Sequence, residues 1–475
     1  MKVVEDNSSQ VSQCLKHGSM DFLGLEKLNL NASQLNAVAD CVSVMENQLS
    51  SLKLIWGPPG TGKTKTISTI LWAMLIKGRK TLTCAPTNTA ILEVASRIVR
   101  LVRGCSDGSA CFLSDIVLFG NKKRMKIDDG HELSVIFLDS RAERLLPCFV
   151  PNTGWRHCLC SLIDLLENSV TKYKYYIEDV LEKRKDIEKE TAEKDKGENV
   201  PWRMQFGNGS CEKKCGRPED KEEPSRLLPF KDYLKDGYNN LSQNLSYCIE
   251  ILYNNHPRNS GTERSFQCML EVLELIKILH GMINCYKGNA DIWSDELLET
   301  MIEEDSDPVL WSEQLVSVQT STCIKSKFRL ARLLCVQELK YLVKNLELPN
   351  CYSIQPIKLY LLQRTKCILC TVSSSFRLYN VPMDVSPSGI CGPFKQPEKA
   401  NLLEMLIVDE AAQLKECETL IPLQLPGITQ AVFIGDEYQL PALVKSKVST
   451  VDSIFCYSFL YFLLGSNSLT CIMIL

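Results

Sequence analysis

Short apolar runs, each closed by a polar or glycine-rich turn, set the pattern of this chain. Leu52 to Trp56, Thr81 to Ala85, Lys366 to Thr371, Glu404 to Val408 and Ala431 to Ile434 have the length and composition of buried strands. The first leads through a glycine-rich turn into Lys63 to Lys77, which has the spacing of an amphipathic helix. Strand, turn and helix in this order predict an α/β fold on a parallel sheet.

Longer helical periodicity occupies 155–185, 262–285 and 324–345. All three lie within the roughly 245 residues separating Asn121 from Cys367, far more than a strand connection needs, so an insertion with its own structure is expected. The last helix carries Lys325, Lys327, Arg329, Arg332, Lys340 and Lys344, against an apolar face read as Leu330, Leu333, Leu334, Leu342 and Val343. Its cations suit an ordinary solvated face or, less readily, phosphates. Lys183 to Pro224 alternates Lys and Glu with few large apolar residues and reads as a disordered or weakly helical loop. Lys122-Lys123-Arg124-Met125-Lys126 is a weak candidate for nuclear import or backbone contact.

Composition narrows the class. With 475 residues, 45% of them hydrophobic, the chain can bury a large core, and a net charge of −3 means that any nucleic-acid surface must be local. The 22 cysteines are too many and too scattered for a small disulfide scaffold, and Met1 to Asn7 lacks the apolar core of a signal peptide. An intracellular protein with reduced thiols, in the nucleus, the cytoplasm or both, is expected. Cys367 and Cys370 have redox or zinc spacing but no second pair, and Cys211 and Cys215 lack further ligands, so no metal is assigned to protein ligands alone. Ser453 to Leu475 is uncharged and long enough to span a bilayer, yet Gly465-Ser466-Asn467-Ser468 interrupts it and no cation follows, so no membrane anchor is expected.

The chemistry starts at Gly57-Pro58-Pro59-Gly60-Thr61-Gly62-Lys63-Thr64. Between a strand and a helix, these glycines let consecutive backbone N–H groups face an anion, Lys63 can reach the β- and γ-phosphates, and the Thr64 hydroxyl can ligate Mg²⁺. The run Glu404 to Val408 then delivers Asp409, placed to hold Mg²⁺ through water, and Glu410, placed to act as general base.

The loop, Asp409-Glu410-Ala411-Ala412-Gln413 and Gly435-Asp436-Glu437-Tyr438-Gln439-Leu440-Pro441 together resemble motifs I, II and III of superfamily 1 helicases, of the senataxin-like and nonsense-mediated-decay branch. Leu30-Asn31-Ala32-Ser33-Gln34-Leu35 resembles the Q motif, which implies adenine recognition by the Gln34 amide. Cys84-Ala85-Pro86-Thr87-Asn88-Thr89-Ala90 and Cys370-Thr371-Val372-Ser373-Ser374-Ser375 resemble motifs Ia and Ic. By resemblance, Pro86, Thr87, Asn88, Ser373, Ser374 and Ser375 line a single-strand track and Gln439 senses the γ-phosphate. Taken as an isolated string, the Ala-Pro-Thr-Asn segment reads more readily as an ordinary strand-to-helix turn with an N-cap, and the order and context of the other motifs reverse that balance.

The resemblance implies a RecA-like P-loop NTPase that uses ATP and Mg²⁺ on single-stranded RNA or DNA, with protein partners of a full-length helicase also possible. The expected organisation is a lead-in over 1–28, RecA-like parts over 29–121 and 361–448, a largely helical accessory insertion over 122–360 and an aberrant apolar tail over 449–475. No second RecA-like domain is recognisable in the 34 residues after Pro441, so truncation, slow hydrolysis and no autonomous unwinding are expected. The alternative is a non-catalytic, nucleotide-gated binding regulator.

Overall fold

The computed structural model describes residues 28–46, 50–104, 113–196, 227–258, 263–284, 324–381, 403–436 and 470–473. Chain order runs α1 (Ala32–Glu46), β1 (Ser51–Trp56), α2 (Lys63–Ile76), β2 (Thr81–Ala85), α3 (Asn88–Gly104), β3 (Ile116–Leu118), α4 (Lys122–Met125) and α5 (Leu138–Phe149). Four long helices follow: α6 (Trp155–Lys196), α7 (Phe230–Asn255), α8 (Glu263–Asn284) and α9 (Ile324–Asn345). The chain then forms α10 (Ile354–Arg364), β4 (Cys367–Thr371), β5 (Met405–Val408), α11 (Glu416–Leu423), β6 (Gln430–Gly435) and β7 (Thr470–Met473).

Two units result. One comprises Met1–Trp155, Cys248–Phe266 and Glu347–Leu475, the other Arg156–Tyr247 and Gln267–Leu346. The helical unit is thus narrower than the 122–360 expected from sequence, because α5, α10 and the segment around His256 belong with the sheet.

The sheet has the order β3-β4-β2-β5-β6-β1-β7 and every pairing is parallel. All strands therefore end at one edge. The predicted strands form, and β2, β4, β5 and β6 are buried along their whole length, as expected of a parallel sheet covered on both faces. α2 is buried almost all round, from Thr66 to Leu75, and packs with Ile98 of α3 and Ile55, Leu369 and Ile407 of the sheet. The tail departs from expectation: Thr470–Met473 lies parallel to β1, with Lys53 opposite Thr470, where the sequence suggested no recognisable element. The rest of the tail, the stretch 197–224 within the expected loop and Cys211 and Cys215 fall outside the described residues. Among the described residues, no helix is long and apolar enough to cross a membrane.

At the amino ends of the strands, polar groups are tied to one another. Arg79 pairs with Glu404 at 2.8 Å, Lys80 Nζ donates to the Gln363 carbonyl at 2.6 Å, and Lys366 meets Asp115 at 3.1 Å. Asp115 also accepts from the Arg258 backbone N–H at 2.7 Å. The Arg141 side chain, fully buried, donates to the carbonyls of Ile116, Ser114 and Asn255 at 2.6–2.7 Å. Its guanidinium thereby satisfies three backbone acceptors.

In the helical unit, α6 runs as predicted and continues beyond Lys185, with a break at Asn168 (φ −113°). Such a break interrupts the i→i−4 ladder, and Arg332 of α9 donates to the Leu166 carbonyl at 3.0 Å beside it. Arg332 is buried, and the inner face of α9 is Phe328, Ala331, Cys335, Leu339 and Leu342, which shares Leu342 with the set read from the sequence but not Leu330, Leu333, Leu334 or Val343. Lys340 pairs with Glu167 at 2.6 Å. Arg332 is therefore turned away from any phosphate, whereas Lys340 stays on the exposed face.

Candidate functional site

The phosphate loop begins where β1 ends. Trp56 pairs with Gly435 across the β1–β6 ladder, and Gly57 N–H continues it by donating to the Gly435 carbonyl at 3.3 Å. Thr61 closes the turn, its hydroxyl donating to the Pro58 carbonyl at 2.8 Å. Gly60 (φ +83°) and Gly62 (φ +85°) take left-handed conformations that an L side chain rarely adopts. They orient the loop, and Gly62 is the N-cap of α2.

Lys63, the first residue of α2, is buried and reaches back to the Gly57 carbonyl at 3.0 Å. The ammonium thus sits over the loop, in the concavity its backbone encloses. Thr64 follows on the first turn, partly exposed.

Gln34 is held in two directions. Asn31 caps α1 by accepting from the Gln34 backbone N–H at 2.8 Å, and Gln34 Oε1 accepts from the Asn31 N–H at 3.1 Å, a reciprocal capping box. Gln34 Nε2 donates to the Thr61 carbonyl at 2.8 Å. A Cβ on Gly62 would fall 2.5 Å from that nitrogen. One N–H and one lone pair of the amide remain for a ligand. The Q-motif glutamine therefore braces the phosphate loop as well as facing it.

Two strands away from β1, β5 delivers the acids. Asp409 N–H donates to the Cys84 carbonyl at 2.9 Å, and the Asp409 carboxylate accepts from the Glu410 N–H at 2.9 Å. Burial, and then the charge of Glu410, push Asp409 up to about 7, while Lys63 pulls the other way. Glu410 adopts φ +51°, uncommon for a residue with a side chain, and accepts from Gln413 Nε2 at 3.2 Å. The left-handed turn and Gln413 position Glu410; neither role was read from the sequence, although Gln413 stood in the motif. Gln439 lies outside the described residues.

The track candidates follow β2 and β4, whose last residues Ala85 and Thr371 are register partners. Thr87 acts as the N-cap suggested by its string, accepting from the Ala90 N–H at 3.2 Å. Pro86 and Asn88 flank it, both partly exposed. Beyond β4, Thr371 and Ser374 share a 2.8 Å hydroxyl–hydroxyl bond, and Ser373 is exposed. Ser375 corrects the reading: it is fully buried, its hydroxyl donating to the Val372 carbonyl at 2.7 Å, so it holds the turn and cannot touch a strand. Cys367 and Cys370 are core residues of β4, and burial pushes Cys367 up to about 12. Cys370 lies opposite Cys84 with 3.9 Å between sulfurs.

Sequence comparison adds to this geometry. The family model described as AAA domain, AAA_11, matches residues 29–251 and 393–447. The chain belongs to that family. The AAA_11 match takes in the phosphate loop, Asp409-Glu410 and Gln439. Similar stretches occur in "Regulator of nonsense transcripts 1 homolog" of Arabidopsis thaliana, 44% identical over 82 residues, 16% of this chain and 6% of that protein. "Helicase sen1" of Schizosaccharomyces pombe is 29% identical over 136 residues, 24% of this chain and 8% of that protein. "DNA-binding protein SMUBP-2" of Mus musculus is 37% identical over 76 residues, 16% of this chain and 7% of that protein. The aligned stretches are thus small parts of these relatives. Over them, the AAA_11 domain is a helicase-type P-loop domain of superfamily 1, with the α/β RecA-like fold.

Proposed function

We propose that this chain is the ATP-binding motor part of a superfamily 1 helicase acting on single-stranded RNA or DNA, in the nucleus or the cytoplasm. The observation that carries it is the convergence on one sheet edge of a phosphate loop at β1 and an acidic pair at β5, joined through β6 by the Gly57–Gly435 bond.

The residues fit a magnesium nucleotide. Asp409 is a buried carboxylate with a neighbouring acid, a donor set that favours a cation, and Lys63 is a buried ammonium over a loop of backbone N–H groups. Thr64 and Asp409 would hold Mg²⁺, which offsets charge on the transferred phosphoryl group. Lys63 exchanges the Gly57 carbonyl for phosphate oxygens, the loop amides orient the phosphates, and Glu410, steadied by Gln413, accepts the proton of the attacking water. Gln34 adds base selection through its remaining N–H and lone pair, and Gln439 senses the γ-phosphate. Thr87, Asn88, Ser373 and Ser374 bind the strand at the β2–β4 end of the edge, which begins three strands from β1 and its phosphate loop, on the same edge as both ligands. Pro86 shapes that turn.

ATP hydrolysis with and without single-stranded RNA, repeated with Glu410→Gln, tests the proposal. Strand-stimulated turnover that the substitution removes is expected. Nucleotide and strand binding with no turnover in the unsubstituted protein would overturn it in favour of a nucleotide-gated binding regulator.

A further inference from the structure

After β4 the chain winds into a 3-10 helix, Val372–Asn380, and its burial follows the three-residue repeat of that helix. Val372, Ser375 and Leu378 are buried. The row one position on, Ser373, Phe376 and Tyr379, is exposed, with Phe376 53% and Tyr379 44% accessible. Residues three apart in such a helix eclipse one another at a rise of roughly 6 Å, so the two rings form one stripe. The Tyr379 hydroxyl donates to the Ile421 carbonyl of α11 at 2.6 Å, which ties that end of the stripe to the fold. Arg377, also exposed, lies between the two aromatic positions in sequence.

We propose that Phe376 and Tyr379 are a base-stacking platform for a single nucleic-acid strand whose backbone is held by the preceding hydroxyl turn. This rests on the strand-binding reading of the same edge. Three features favour a nucleic acid over a protein segment. The stripe continues directly from Ser373 and Ser374, polar groups suited to phosphate and sugar. It stands beside the Thr87 turn, because β2 and β4 are neighbours in register. It combines two flat π-faces with a guanidinium, the chemistry that binds successive bases without reading their identity.

The test uses the 475-residue chain and two probes of about 12 nucleotides: an oligouridylate and an abasic strand with the same phosphodiester backbone. Phe376→Ala is expected to weaken oligouridylate binding about tenfold and leave the abasic strand unchanged. Phe376→Trp should restore the affinity, and a 2-aminopurine placed in the strand should lose its binding-induced quenching in the alanine variant alone. Unchanged thermal midpoints serve as the folding control. Equal weakening of both probes would overturn stacking in favour of a distorted hydroxyl turn. No change in either would overturn it in favour of a protein contact at the stripe. In both cases strand binding itself would stand, whereas failure of the unsubstituted protein to bind either probe would remove the functional reading together with the stripe.

Discussion

The two edges of the parallel sheet use polar residues in opposite ways. At the amino edge Asp115 meets Lys366 and the Arg258 amide, Arg79 meets Glu404, and Arg141 serves three carbonyls, so the charges there are directed at the protein itself. At the carboxyl edge, Lys63 rests on a single carbonyl and Asp409 on a single amide, although both are buried. Buried ionic groups are costly unless their bonding capacity is filled. The amino edge directs its charged groups at the protein and stabilises the fold, although the buried Arg141 Nε has no hydrogen-bond partner, while Lys63 and Asp409 keep capacity that a phosphate or cation can use. Substitutions of the acids and cations at the carboxyl edge should therefore change chemistry at nearly constant stability, and those at the amino edge the reverse.

The largest expected effect tests the first half of that contrast. Glu410→Gln should lower ATP turnover by about 10²- to 10⁴-fold while the thermal midpoint stays put, read by steady-state hydrolysis beside calorimetry. Arg141→Met tests the second half. It leaves three buried carbonyls unpaired and should cost about 3 kcal/mol or more in urea unfolding, with nucleotide affinity preserved at low temperature.

Acid should attack the amino-edge side selectively. His256, buried and sharing a 2.6 Å hydrogen bond with the Tyr360 hydroxyl, is pushed down to about 3 by burial and then by the charge of Arg364. The unfolded chain takes up a proton near its ordinary value of 6.5 and the folded chain does not, so this contribution is intact above 6.5 and declines as pH falls toward 3. The loss at pH 5 is about 2 kcal/mol, and His256→Gln should flatten the unfolding profile between pH 7 and 5 by about that amount.

Two smaller effects sharpen the boundary. Gly62→Ala combines a left-handed φ with a Cβ 2.5 Å from Gln34 Nε2, whereas Gly60→Ala meets nothing within 4 Å. Chemical denaturation should show a cost of about 2 kcal/mol for the first and about 1 for the second, with nucleotide affinity reduced chiefly by the first. Ser375→Ala should cost about 1 kcal/mol in the same experiment, and Ser373→Ala next to nothing, the reverse of their order in strand binding.

The phosphate loop was legible in the sequence because its geometry depends on backbone conformations open to few residues, and Gly60 and Gly62 adopt them as expected. The strands were legible because a doubly covered parallel strand needs an unbroken apolar run. Glu410 hid its left-handed turn, since glutamate gives no sign of a positive φ. The α9 face was misread because Arg332 and Glu338 occupy buried positions, and a charge on an inner face breaks the apolar pattern. Helix α7 went unread although Phe230, Leu234, Tyr238, Leu245, Ile249 and Leu252, all buried, recur at three-, four- and seven-residue steps. The amino-edge contacts had no local signal, as Asp115 and Lys366 lie 251 positions apart.

The pairing of Ser51 with Gln430 also governs how the molecule comes into being. During synthesis at about 5–20 residues per second, β1 is made roughly 20 to 75 seconds before β6 exists to receive it. The apolar strands β1 and β2 thus leave the ribosome without the neighbours that later flank them, β6 for one and β4 and β5 for the other. Through that interval they present open hydrogen-bonding edges to any other chain. Assembly of this fold is consequently a race between translation of the carboxyl half and self-association of the amino half, and slowing elongation between β2 and β4 should lower the soluble yield.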